Sequence, residues 1–105
     1  VGGGPAGCSV AARLARVLRK NDIIIVEPKE VHIYKSGFTS IGAGIMQMKD
    51  IIRPMLHVLP ENAIWLKDAV EYFCPINNMV VLKSGGIVQY EFMVIAVGMK
   101  VDLDK

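Results

Sequence analysis

Three glycines and one glutamate carry the chemistry most legible in this sequence. Gly2-x-Gly4-x-x-Gly7 opens the chain, and Glu27 stands 20 residues beyond Gly7. A glycine at the first position lets the chain turn tightly. One at the second removes a side chain, so that backbone can approach a pyrophosphate. One at the third lets a helix pack closely against strands. The N-terminus of that helix offers unpaired N–H groups and the positive end of a dipole to phosphate. A carboxylate at the distance of Glu27 suits the hydroxyls of a ribose. Pro5 fits a first helical turn, where its missing N–H is no loss.

Glycine triplets alone are common turns, so the elements between them decide the reading. Residues 5–20 predict an amphipathic helix with Ala6, Val10, Leu14 and Val17 or Leu18 on one face. Ser9, Arg13, Arg16 and Lys20 fall on the other. Asn21-Asp22 turns the chain, and Ile23-Ile24-Ile25-Val26 reads as a buried strand ending at Glu27. Strand, turn, helix, strand and acid together make a dinucleotide-binding unit of the Rossmann type. FAD and NAD are both compatible with it, since each presents a ribose to the acid.

Cys8 falls in the first helical turn, where the dipole can lower a thiol pKa. A small packed residue is nonetheless the favoured role. His32 is expected to be a hydrogen-bonded structural residue, because no second ligand stands near it at metal spacing. Tyr34 or Lys35, in the loop after the acid, would run along a bound nucleotide. Gly42 and Gly44 suit either ligand approach or close helix packing. Ile45 to Leu59 predicts a helix in two pieces divided near Arg53-Pro54, since a residue before proline avoids the α region. Met46, Met48 and Met55 read as adaptable packing.

From Ala63 the pattern changes to strands. Ile64-Trp65-Leu66 is followed by three short strands, Val70–Cys74, Met79–Leu82 and Ile87–Gln89, whose tight turns make an antiparallel meander. Phe92–Ala96 reads as a fully apolar, buried strand, with Gly98 after it where backbone would again meet a ligand. The fold class is therefore α/β, a Rossmann-like parallel sheet with an inserted meander. That interruption suits flavoprotein reductases better than plain dehydrogenases.

The composition closes off other classes. The chain is 52% hydrophobic and 21% charged, which fits a globular domain. A net charge of +2 gives no electrostatic case for nucleic acid. No apolar run reaches the roughly 18 residues of a membrane span. Cys8 and Cys74 form no CxxC and fit a reducing compartment or no redox role. The sequence starts at the glycine motif itself, so residues 1–105 are expected to be a partial dinucleotide-binding domain. The first strand and the rest of the enzyme would lie outside it, and such a piece is expected to be inactive alone.

The chain resembles the sulfide:quinone oxidoreductases, especially the mitochondrial type, within the pyridine nucleotide-disulfide oxidoreductase-like flavoproteins. The matching segments are GGGPAG, Val26-Glu27-Pro28, His32-x-Tyr34, Gly42-Ala43-Gly44, Arg53-Pro54, Val58-Leu59-Pro60, Trp65-Leu66-Lys67 and Tyr90 to Gly98. The resemblance implies noncovalent FAD, oxidation of sulfide through a cysteine pair, and electron transfer to membrane quinone. It also implies a sulfur acceptor such as glutathione and a location at the mitochondrial inner membrane. Carried over by position, Pro5 and Ala6 would meet the pyrophosphate and Glu27 the adenosine ribose. Lys35 would lie along the cofactor, Val70 would contact the adenine end through its backbone, and Gly98 would sit toward the isoalloxazine side. Lys35 and Ser36 depart from the Gln and Pro usual in the family. Neither Cys8 nor Cys74 matches the family's redox pair, so no catalytic residue is expected here. Quinone site and membrane attachment would lie in further segments. Other readings are an alternative NADH dehydrogenase, a ferredoxin reductase, or a non-catalytic nucleotide-binding module.

Overall fold

The computed structural model describes residues 1–33, 42–44 and 47–98, the side chains of Met48 and Asp50 excepted. Helix α1 (Pro5–Leu14) begins at the proline, with Gly4 as its N-cap. The regular helix is shorter than the sequence predicts. Beyond Leu14 it tightens into turns, with Arg16 and Val17 N–H donating three residues back. Asn21 takes a left-handed φ of 69°, and the Asp22 carboxylate accepts the Arg19 N–H at 3.2 Å. These local bonds compete with helix continuation.

The buried face of α1 also differs from the amphipathic expectation. Ala11 is 3% exposed, and Cys8 and Ala15 pack beside it. Ala6 and Leu14 are exposed, and Val17 is 79% exposed. Small side chains let the helix sit close on the sheet, and a face of bulkier residues would hold it off.

Strand β1 (Ile23–Val26) pairs in parallel with β4 (Ala63–Leu66), in register from Ile23 opposite Ala63 to Val26 opposite Leu66. Ile23 and Ile25 share one face by the period of two. They pack with Ala11, Met55 and Leu59. Val26 packs on the other side with Val80 and Leu82. The parallel pair is thus sandwiched between α1 and the meander.

That meander is β5 (Val70–Cys74), β6 (Met79–Leu82) and β7 (Ile87–Gln89), antiparallel in sequence order, as the sequence predicts. The expected α/β architecture, a parallel sheet with an inserted meander, is met.

Between Ile45 and Leu59 the two predicted helical pieces, divided near Arg53-Pro54, are present as short turns, and what the sequence did not announce is that the divider is itself a strand. Single turns α2 (Met48–Ile51) and α3 (Met55–Val58) flank a strand, β3 (Ile52–Pro54), which pairs antiparallel with β2 (Val31–Ile33). Pro54 keeps Arg53 out of the α region, and β2 supplies the ladder that makes the extended stretch a strand.

The predicted strand Phe92–Ala96 is corrected. The segment is extended beside Val1, whose N–H donates to Val94 O at 2.6 Å and whose carbonyl accepts the Ala96 N–H at 2.7 Å. No regular strand forms there, and Phe92 is 92% exposed. Among the described residues no helix is long and apolar enough to cross a membrane.

Candidate functional site

The glycine turn is built by close contacts. Gly2 has φ +105°, and a Cβ there would run into the Ala96 carbonyl. A Cβ on Gly7 would strike the Gly2 carbonyl, so the third glycine admits the turn's own backbone rather than a strand. Gly4 is different, because the space where its Cβ would lie holds nothing within 4 Å. A glycine that leaves open space fits a group outside the chain coming up to the backbone.

Glu27 is delivered by the end of β1. Its N–H donates to Leu66 O at 3.0 Å, and its carbonyl accepts the Trp65 indole N–H at 3.0 Å. Its carboxylate reaches back to the turn. Oε1 accepts the Gly3 N–H and Oε2 the Lys29 N–H, each at 2.9 Å. A carboxylate offers about four lone-pair sites, so two remain for hydroxyl donors such as a ribose diol.

Gly3, the unassigned residue inside the motif, is the hub that sequence reasoning missed. A Cβ there would meet Glu27 Cγ at 2.9 Å and Met55 Sδ at 3.0 Å. Its carbonyl receives Cys8 Sγ at 3.1 Å and His32 Nδ1 at 3.0 Å. The unbroken Gly2-Gly3-Gly4 run was the available signal, since a dinucleotide turn asks for glycine at only two of those positions. For Trp65 the available signals were its being the sole tryptophan and its place in the matching segment Trp65-Leu66-Lys67.

Cys8 has the packed role expected of it. Burial pushes its thiol pKa up, and the negative charge of Glu27 adds to that, so the helix N-terminus does not activate it. Cys8 and Cys74 are both free thiols. His32 is hydrogen-bonded, as expected, with Nδ1 3.0 Å from the Gly3 carbonyl.

A cavity of about 750 Å³ opens in front of the turn. Of the residues singled out in the sequence, Gly2, Gly4, Pro5, Ala6, Glu27, Val70 and Gly98 all line it. Gly7 stands behind Gly2, and Lys35 lies outside the described residues. Among the described residues, Gly42 and Gly44 do not line the cavity and have no neighbour within 4 Å of where a Cβ would lie. His32, Met55 and Phe73 join the lining without having been foreseen.

Helix α1 has no side-chain cap and no acidic residue in its first turn. Its leading N–H groups are thus left to a ligand or solvent. A glycine cradle, an uncapped helix start and a carboxylate beside them fit the pyrophosphate and ribose of a dinucleotide.

No family model matches the chain. It is 39% identical over its full length to the mitochondrial sulfide:quinone oxidoreductase of Dictyostelium discoideum, and 33% identical over its full length to that of Mus musculus. The chain spans about a quarter of the length of these relatives, 24% and 23%. Among solved structures, the sulfide:quinone oxidoreductase of Aquifex aeolicus superposes with a TM-score of 0.73 at 23% identity, over 97% of this chain and 24% of that one. This likeness supports the fold. The family resemblance drawn from the sequence is borne out along the whole chain.

Proposed function

We propose that this chain is the FAD-holding part of a sulfide:quinone oxidoreductase, an enzyme that oxidises sulfide and passes the electrons to quinone. The observation that carries the reading is the junction of Glu27 with the glycine turn. The carboxylate is tied to the Gly3 N–H at 2.9 Å at the edge of a large cavity, beside an uncapped helix start. The relatives' names supply the substrates, sulfide and quinone.

In this reading each residue has a distinct task. Gly4 admits the pyrophosphate, with Pro5 and Ala6 beside it at the helix start. Gly2 and Gly7 keep the turn closed. The free lone pairs of Glu27 accept the adenosine ribose hydroxyls. The Val70 backbone borders the adenine, and Gly98 borders the path toward the isoalloxazine. Lys35 would lie along the cofactor. Bound FAD supplies the two-electron chemistry that links sulfide to quinone. The redox cysteines, quinone site and membrane attachment belong to segments beyond these residues. Glutathione is proposed as sulfur acceptor, and the mitochondrial inner membrane as the location, in keeping with relatives named mitochondrial.

The test is a visible spectrum of the whole purified protein before and after sulfide without quinone. A flavin that bleaches with sulfide and recovers with quinone supports the proposal. Bleaching only with NADH moves the protein to the NADH-dehydrogenase type. No flavin at all leaves a nucleotide-binding module.

A further inference from the structure

The Gly3–Gly4 peptide is held by two side chains, Cys8 and His32, of which His32 also lines the cavity. A carbonyl oxygen only accepts, so the 3.0 Å contact of His32 Nδ1 with Gly3 O requires the proton on Nδ1. Cys8 Sγ–H donates to the same oxygen at 3.1 Å. A thiol is a weak donor, so the imidazole is the stronger of the two. In a trans peptide the C=O and the following N–H point opposite ways. Fixing Gly3 O against His32 therefore turns the Gly4 N–H away from it, on a residue that lines the cavity. That N–H has no acceptor among the described residues. The preceding peptide is fixed separately, through the Gly3 N–H on Glu27.

Such clamps are needed here because three consecutive glycines are conformationally permissive, and an unclamped peptide between them flips at little cost. His32 reaches the turn because β2 holds it opposite Arg53 of β3. The pairing is anchored next door by the Met55 N–H on Glu30 O at 2.7 Å.

We propose that His32 is a positioning residue of the phosphate turn: its Nδ1–H fixes the Gly3–Gly4 peptide so that the Gly4 N–H faces a bound pyrophosphate. The inference rests on the dinucleotide reading above. It separates phosphate recognition from ribose recognition, because His32 governs the Gly4 N–H while Glu27 governs the ribose.

The test uses the whole protein stripped of flavin, with ADP and adenosine as competitors of FAD rebinding followed by flavin fluorescence. His32→Leu removes the donor, and His32→Asn keeps an N–H near the place of Nδ1. His32→Leu is expected to weaken ADP about tenfold and adenosine less than about twofold, and His32→Asn to recover most of the ADP affinity. Equal weakening of ADP and adenosine, unchanged ADP binding, or an Asn variant no better than Leu would each overturn the proposal. If His32→Leu does not fold, Cys8→Ala removes the other donor to the same carbonyl. It is expected to give the same ADP-selective loss at smaller size, and a non-selective or absent loss would count against the clamp. Wild-type protein that rebinds neither FAD nor ADP would instead overturn the dinucleotide reading itself.

Discussion

Two all-apolar runs, Ile23–Val26 and Phe92–Ala96, have the same sequence character and different fates. The first is a strand whose Ile23, Ile25 and Val26 are 5–8% exposed. Among the described residues the second makes one pair of backbone bonds, both to Val1, and leaves Phe92 at 92% and Ile95 at 56% exposure. Apolar composition permits a buried strand, but a ladder partner on the right edge makes one. β1 has β4 along its full length and Gly2 N–H on Val26 O at 2.9 Å.

The sharpest way to test this contrast is a pair of truncations. Ile25→Ala is expected to cost about 2–5 kcal/mol by urea unfolding, since it opens a cavity among Ala11, Met55 and Leu59. Phe92→Ala is expected to cost less than about 0.5 kcal/mol, as for other exposed positions. Equal costs would break the comparison and place a covering segment over the second run. Trp65→Phe keeps an aromatic ring at this position but removes the donor to the Glu27 carbonyl. It should lower stability by about 1 kcal/mol, and an unchanged melting temperature would show that this bond does not tether the end of β1.

The smallest effect concerns the loop joining the sheet to the meander. The Asp68 carboxylate accepts the Ser84 hydroxyl and the Ala69 N–H, and these bonds hold its pKa below the ordinary 3.8. Because the folded value is depressed, the stabilisation is present above pH 3.8 and is lost as pH falls through the folded value. Asp68→Asn should therefore melt slightly below wild type at neutral pH, with the gap closing in acid. A gap independent of pH would remove the ionised carboxylate from the explanation.

The parts of the site that could be read from sequence were those in which chemistry and spacing coincide locally. Gly2, Gly4, Pro5, Ala6 and Glu27 are fixed by one turn and the strand after it, and all border the cavity. The meander was equally legible, because its hairpins close over a few residues. The buried face of α1 was not. Periodicity favoured Val10 and Leu14, and close approach to β1 selected Cys8, Ala11 and Ala15 instead. Arg53-Pro54 signalled a helix break correctly, but no local rule announces that β2 waits across from it.

By itself the sequence determined that a glycine turn, a helix and an acid lie in the order a dinucleotide needs. It also determined where the chain must bend, because φ restrictions and side-chain period are local properties. Tertiary structure alone decided that Gly3 is the hub, with Glu27 on its N–H and His32 and Cys8 on its carbonyl. Those partners come from residues 5 to 29 positions away. The packing of β1 and β2 against the turn brings Glu27 and His32 within hydrogen-bond reach, and the first turns of α1 bring Cys8.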